Sequence, residues 1–286
     1  VDWHAFTARR RGIVRDASHR RRTYGALAVT ALFTAPLVLL VTGSLREPGL
    51  PPVVAPPLLP DDPGIAAYQQ AITHGDLVRA AVNSMVVAAV GVPLSLLVAS
   101  LAGFALTQLP RRVTSTVIAL SVLAMMVPAT ALLLPRFVLF RTLHLTDTLV
   151  PLVAPALIAT SPLYPLIYFL AFRAIPADSY DLCRLADLTP MQTWRRMALP
   201  QVQPVTAGLA ALTFVLTWSN LLDPMVYLYD RAAFTLPLAL RALAAMDPHN
   251  QPVFLAGAVL TTLPTLLVLG VAQRRFLHSY GPEGAS

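Results

Sequence analysis

Lysine is absent from this sequence: all 21 of its basic residues are arginine. That absence excludes several chemistries. A P-loop needs Gly-x-x-x-x-Gly-Lys to reach the β- and γ-phosphates, a pyridoxal enzyme needs a Schiff-base lysine, and a Ser-x-x-Lys hydrolase needs its own. If ATP drives this protein, another chain must bind it. Cysteine is nearly as scarce, with Cys183 alone, so neither an intrachain disulfide nor a Cys-rich metal cluster can form, and no metal site is expected. The chain also lacks His-Glu-x-x-His, Gly-x-Ser-x-Gly and any pair of aspartates within its apolar runs, which argues against an intramembrane enzyme. Charge is thin, at 12% of 286 residues, against 56% hydrophobic residues. With a mean hydropathy of +0.64 the chain is too apolar for one domain whose whole surface faces water. Its solvent is lipid.

The net charge of +7 does not read as a nucleic-acid footprint, because the arginines flank apolar runs instead of covering a solvated face. A spanning helix needs about 20 mostly apolar residues to cross roughly 30 Å of hydrocarbon. Six stretches qualify: 24–45, 80–107, 113–135, 148–172, 202–229 and 252–273. Asp223 is the one charged residue inside those limits. The third and fourth stretches are interrupted by Pro128, Pro135, Pro151, Pro155, Pro162 and Pro165, which remove backbone donors and kink helices at sites that neighbouring helices or water must satisfy. The first stretch follows a polar, basic segment and is too long for an h-region, so a cleavable signal peptide is not expected.

Arginine asymmetry sets the orientation, since basic loops are retained in the cytoplasm. With the N-terminus inside, Arg9, Arg10, Arg11, Arg15, Arg20, Arg21, Arg22, Arg111, Arg112, Arg173, Arg184, Arg195, Arg196, Arg274 and Arg275 fall on the inner side, fifteen in all. Arg46, Arg79, Arg136, Arg141, Arg231 and Arg241, six in all, fall outside. The expectation is an all-α polytopic membrane protein with both termini cytoplasmic. It divides into a basic N-terminal segment (1–23), a six-helix transmembrane domain (24–275) and a C-terminal tail (276–286). The seven N-terminal arginines are expected to contact anionic lipid. The first outer loop is long and Pro-rich and reads as extended, followed by a short helical patch near 65–72.

The longest inner connection, 173–201, carries the most specific pattern. Residues 178–188 suit a short helix. Thr189-Pro190-Met191-Gln192 then opens a second one, with Thr189 as N-cap, Pro190 at the first helical position and Gln192 completing a capping box. That helix carries Trp194, Arg195 and Arg196 and is expected to end at Leu199-Pro200. A helix–turn–helix here suits either docking to a partner or an interfacial linker whose arginines face headgroups.

With these residues the chain resembles the carbohydrate-importer permeases of the ABC superfamily. Those proteins carry a loop of the form Glu-Ala-Ala-x-x-x-Gly followed by Leu-Pro. Anchored on Leu199-Pro200, Asp181 stands at the Glu, Leu182 and Cys183 at the two Ala, and Asp187 at the Gly, with Arg184, Trp194 and Arg195 where members often have Arg, an aromatic and Arg. Asp187 is the notable departure, because glycine adopts a tight positive-φ turn more readily than aspartate. Asn83-Ser84, Met126-Val127-Pro128, Leu145 to Leu149, Trp218 to Pro224, Thr235-Leu236-Pro237 and Gln273 to Phe276 extend the likeness along most of the chain. The resemblance implies the type I importer permease fold, in the second-permease subgroup, in a bacterial cell membrane. It implies that 173–201 holds the coupling helix, and that the partners are a second permease, two ATPase subunits holding ATP and Mg, and an extracytoplasmic binding protein or lipoprotein. No cofactor is expected on this chain.

Trp218, Asn220 and Asp223 together offer an aromatic face, an amide and a carboxylate, the groups that bind sugars, and are the candidate lining of the translocation pathway. An interfacial tryptophan with a solvated aspartate fits the same residues. Arg136, Arg141, His144 and Asp147 fall on the outer connection that the family turns toward its binding protein, and an ordinary solvated loop fits them at least as well. An ion-gradient-driven transporter is the alternative function, although such proteins commonly show inverted repeats and midplane carboxylates, and this sequence has neither. Disaccharide, amino sugar, polyol and glycerophosphodiester all remain open as substrate.

Overall fold

The computed structural model describes residues 3–52 and 62–280, with side chains for 23–52 and 62–273. The N-terminal arginines named above, and Arg274, Arg275 and the tail, therefore have side chains outside the described residues, and so does the middle of the Pro-rich loop. The described residues are helical with no strand. In chain order they form α1 (Trp3–Ser44), α2 (Ala66–Gly75), α3 (Leu77–Gln108), α4 (Arg111–Met125), α5 (Leu133–Thr142), α6 (Val150–Val153), α7 (Leu163–Arg173), α8 (Ala177–Leu185), α9 (Pro190–Thr193), α10 (Leu199–Gln201), α11 (Gln203–Trp218), α12 (Leu222–Tyr227), α13 (Leu236–Met246) and α14 (Gln251–Tyr280). Thr23–Ser44, Leu77–Gln108, Val150–Arg173 and Gln251–Gln273 are each long and apolar enough to cross a membrane, and two bent pairs bring the number to six if each counts as one span.

Proline chemistry explains the bent pairs. Pro128 has no N–H to donate, so α4 closes at Met125 with short-range bonds from Met126 N to Leu123 O (3.1 Å) and Val127 N to Ala124 O (3.2 Å). The chain then turns by 85° into Ala129–Thr142, where the sequence pattern had suggested one run to Pro135. The fourth span breaks differently: Ala159 and Thr160 both take positive φ (61° each), costly for residues with a Cβ and more so for a β-branched one. Thr160 Oγ1 donates to Ser95 Oγ on α3 at 2.8 Å, which holds the break in place. The fifth stretch is shorter than 202–229. It stops at Trp218, and Asp223 belongs to the separate short helix α12.

The chain forms two compact units. In the first (Val1–Ala71 with Asp247–Val259), α1 ends beside Tyr68, whose hydroxyl lies 2.6 Å from Ser44 Oγ, and Gly49 N donates to Asn250 Oδ1 at 2.8 Å. In the second (Ile72–Met246 with Leu260–Ser286), α3 is the axis against which α7, α11 and α13 pack. Its core is aromatic: Phe104 meets Phe172 edge-on at 5.6 Å and Tyr168 stacks on Phe172 at 5.7 Å. Tyr168 is fully buried and its hydroxyl donates to Thr206 Oγ1 on α11 at 3.1 Å.

Close approach of α3 and α7 depends on Gly103. A Cβ there would stand 2.6 Å from Tyr168 Cβ, 2.7 Å from the Pro165 carbonyl oxygen and 2.9 Å from Phe169 N. Two of those are backbone atoms that cannot swing aside, the small-residue contact through which membrane helices come together. Gly103→Ala is expected to lower stability by about 1–3 kcal/mol, the usual cost of overpacking. Gly91→Ala, whose added methyl meets nothing within 4 Å, should leave the midpoint unchanged or raised. Thermal unfolding of the two purified variants in detergent checks both outcomes.

Candidate functional site

The connection between α7 and α11 folds as a rigid helix–turn–helix. Pro176 precedes α8, Asp178 sits in its first turn, and Tyr180 OH donates to Phe172 O at 2.9 Å, tying the helix to the end of α7. Burial raises the Tyr180 pKa, with a smaller push from Cys183, so the phenol keeps the proton that this bond needs. Asp187 stands at the end of α8 with φ of 50°. Around it Leu188 N bonds Cys183 O (3.0 Å) and Asp187 N bonds Arg184 O (3.0 Å). These are the two bonds of a Schellman motif, so Asp187 takes the left-handed position usually filled by glycine, which short Asx side chains enter more easily than most.

The next turn is capped as the sequence pattern predicts. Thr189 N donates to Gln192 Oε1 (2.9 Å), and Gln192 N donates to Thr189 Oγ1 (3.4 Å). Pro200, however, does not end the helix at Leu199. Residues Trp194–Ala198 widen into a π-helical turn, Leu199 N bonding Trp194 O, and α10 carries Pro200 on to Gln201 before an 81° bend into α11. Widening by one residue per turn gives room for a ring that would otherwise strike the carbonyl four residues back.

The residues singled out in this loop divide by face. Cys183 and Trp194 are buried, Trp194 within the aromatic core. Asp181, Leu182, Arg184, Asp187 and Arg195 are exposed. Arg184 Nη1 reaches Asp181 Oδ1 at 3.1 Å, a solvent-exposed pair of small energetic weight. Beside that pair, Leu182 is 66% and Leu185 82% exposed, and Met191 is exposed too. Large apolar side chains exposed together on a short helix outside the apolar spans suit a contact surface. Leu185 and Met191 escaped the motif comparison; the legible signal was Leu182 and Leu185 three residues apart on one short helix.

At the other end of the second unit the structure separates the three pathway candidates. Trp218 is 2% exposed, stacks on Phe214 at 5.4 Å and donates Nε1–H to Thr261 O at 2.9 Å, so its ring is committed to packing. Asn220 and Asp223 remain together: Asn220 Nδ2 donates to Asp223 Oδ2 (2.9 Å) and Asp223 N donates to Asn220 Oδ1 (3.3 Å). Both line a cavity of about 150 Å³ with Ser84, Thr160, Thr217 and Thr235. Thr235 Oγ1 is buried there without a hydrogen-bond partner. Arg136 is not a loop decoration: its Nη1 lies 3.6 Å from Asp223 Oδ1, and its guanidinium sits 5.7 Å from the Tyr227 ring centroid. Asp147 stays exposed and bonds the backbone, accepting from Tyr229 N and, at 2.8 Å, from Asp230 N. Asn83 Nδ2 donates to Ala232 O and Phe234 O, and Ser84 Oγ accepts from Leu236 N at 2.8 Å, so that pair pins the strap before α13. Among the described residues no group of three His, Cys, Asp or Glu side chains could hold a metal.

Comparison with known proteins bears on both regions. A family model described as binding-protein-dependent transport system inner membrane component matches residues 91–276. The lactose transport system permease protein LacG of Rhizobium radiobacter is 31% identical over 68% of this chain and 71% of its own. The trehalose transport system permease protein SugB of Mycobacterium tuberculosis is 28% identical over 72% of this chain and 76% of its own. Among solved structures, a chain from a bacterial ABC transporter involved in import of the acidic polysaccharide alginate covers 94% of this chain and 98% of its own, with a TM-score of 0.71 at 22% identity. That likeness carries the fold.

If Asp187 holds a glycine-type turn, Asp187→Gly should preserve the loop and stabilise it by up to about 1 kcal/mol, while Asp187→Val should destabilise it by roughly 1–2 kcal/mol. Hydrogen exchange at the Asp187 and Leu188 amides reads the difference directly.

Proposed function

The chain belongs to the binding-protein-dependent transport system inner membrane component family, and from that membership we propose that it forms, with a second permease, the pathway for a sugar or sugar-like solute. It is a multi-pass permease of the carbohydrate-type ABC importers, a transport subunit and not an enzyme. The ion-gradient alternative finds no support in that family. The remaining parts of the reading are ours. ATP and Mg are held by two separate ATPase subunits, consistent with a chain that has no lysine for a P-loop. An extracytoplasmic binding protein or lipoprotein delivers the solute, and the site of action is a bacterial cell membrane. The related permeases are named for lactose, arabinooligosaccharide and trehalose transport, which favours a small saccharide.

The observation that carries the coupling assignment is the exposed face of α8, where Leu182 and Leu185 stand beside the Asp181–Arg184 pair on a helix fixed at both ends. A lever must be stiff. The Schellman turn and the capping box remove the freedom that would absorb a push, while Trp194 roots the loop in the core shared with α7 and α11 and Cys183 is buried on the inner face of α8. Approach of the ATPase subunits then moves α8 as a body, and Tyr180, hydrogen-bonded to the end of α7, passes the displacement to the spans. In this reading Asp181, Leu182, Arg184, Asp187 and Arg195 meet the ATPase, and Cys183 and Trp194 position them. At the opposite end Asn220 and Asp223 line the pathway, and Trp218 supports them from behind.

Two experiments test this. Leu185→Asp or Asp181→Ala should cut co-purification of the ATPase at least several-fold while membrane insertion is retained; undiminished co-purification would move the docking surface elsewhere. Asp223→Asn, which keeps the shape of the Asn220 contact, should lower solute uptake several-fold without loss of assembled complex. Uptake equal to wild type would remove the carboxylate from the pathway.

A further inference from the structure

The ends of α3 and α7 and the start of α4 enclose an open groove of about 560 Å³ on the same end of the second unit as α8. Arg111, Arg112 and Arg173 line it, and no Asp or Glu does. Among the described residues the ion pairs are those of Arg79, Arg136 and Arg184, so these three guanidinium groups have no carboxylate of their own. Arg173 is held instead over the Phe169 ring, 5.5 Å from its centroid, which leaves its N–H edges for an acceptor. The hydroxyl protons nearby are committed: Thr107 Oγ1 donates to Phe104 O (2.7 Å) and Ser115 Oγ to Arg112 O (2.8 Å). The donors offered to a ligand are therefore cationic.

The rest of the wall is apolar. Leu106, Ile118 and Phe169 form it, and beyond it α4 turns Leu120 and Leu123, each 59% exposed, toward the surrounding medium. A site with three cations at its rim and hydrocarbon along its floor matches an amphiphile with an anionic head. A free phosphate would leave the apolar floor unused. An acidic protein segment would have to lie against residues whose exposed neighbours belong in hydrocarbon. We propose that this groove binds an anionic phospholipid, the phosphate bridged by Arg111, Arg112 and Arg173 and one acyl chain laid along Ile118 and Phe169. The assignment rests on the orientation argued above, with this end of the fold in the cytoplasmic leaflet. Because Arg173 also lines the cavity of about 420 Å³ beneath α8, along with Tyr180, Asp181 and Arg184, the lipid head would sit next to the coupling loop.

The test uses the purified full-length importer complex in detergent supplemented with phosphatidylglycerol, phosphatidylcholine or inorganic phosphate, read by thermal unfolding. Wild type should gain roughly 3–6 °C with phosphatidylglycerol, the scale of saturating a single site, and nothing comparable with phosphatidylcholine or phosphate. The variant Arg111→Gln, Arg112→Gln, Arg173→Gln should keep its midpoint in phosphatidylcholine and lose most of that gain. An equal gain in the variant would place lipid recognition elsewhere, including the N-terminal arginines. A full gain from inorganic phosphate would make this a phosphate site and overturn the lipid assignment. Loss of ATPase co-purification by the variant in phosphatidylcholine, with the phosphatidylglycerol gain intact, would make the groove a protein contact and overturn it too. None of these readings depends on solute uptake, so failure here leaves the transport assignment standing on its own tests.

Discussion

Hydrocarbon offers no hydrogen bonds, and the whole arrangement of this chain follows from that constraint. Each backbone N–H or C=O at membrane depth must find a partner within the protein, at a cost of several kcal/mol if it does not. The chain nevertheless carries 26 prolines, each a missing donor. Its departures from straight helix are the places where the deficit is made good. At Pro128 the helix closes with tight turns and folds back by 85°. At Ala159 and Thr160 it accepts two left-handed residues and secures them with a side-chain bond to Ser95. Such breaks are tolerated where irregular backbone faces a cavity, and Thr160 lines the same small cavity as Asn220 and Asp223.

The same constraint decides what was legible in the sequence. Runs of apolar residues long enough to cross lipid are a one-dimensional signal, so the candidate spans could be read without any knowledge of packing, although the bend in the third and the end of the fifth could not. The capping box was legible for a related reason: Thr189 and Gln192 are three residues apart and need no third party. Aspartate enters a left-handed turn less readily than glycine, yet the backbone at Asp187 takes that turn, because the two closing bonds are local and the side chain is short. What could not be read were the pairings that depend on bends. Arg136 meets Asp223 across 87 positions only because α5 swings back beside α12. Trp218 and Asp223 are five residues apart yet face different surroundings, since α11 stops between them. No periodicity encodes a helix end of that kind.

The outer end of the second unit is held by polar side chains that look like site residues in isolation. Asn83 and Asp147 bond backbone groups in the segment between α12 and α13, and Ser84 accepts from Leu236 N at the start of α13. Their work is to keep that strap in place, where a single 3₁₀ turn (Arg231–Ala233) is the only regular structure. With Asn83 and Asp147 assigned to the backbone and Trp218 to the core, the polar groups lining the small cavity at this end are the hydroxyls of Ser84, Thr160, Thr217 and Thr235 with Asn220 and Asp223. The candidate site is smaller than the motif suggested, and its carboxylate is already in contact with a cation. Any solute that engages Asp223 competes with Arg136 for it.

The π-helical turn at Trp194–Ala198 has a geometric consequence of another kind. One residue in an α-helix corresponds to about 100° of rotation, so the extra residue sets the phase between the parts of the chain on either side of it. Upstream lie α8 and α9 with their exposed face; downstream lie α10 and the fifth span. Shortening the turn by one residue would relax the wide turn, yet it would rotate Leu182 and Leu185 away from their present bearing relative to α11. The bulge thus works as an angular index, in the way a keyway fixes a gear on its shaft.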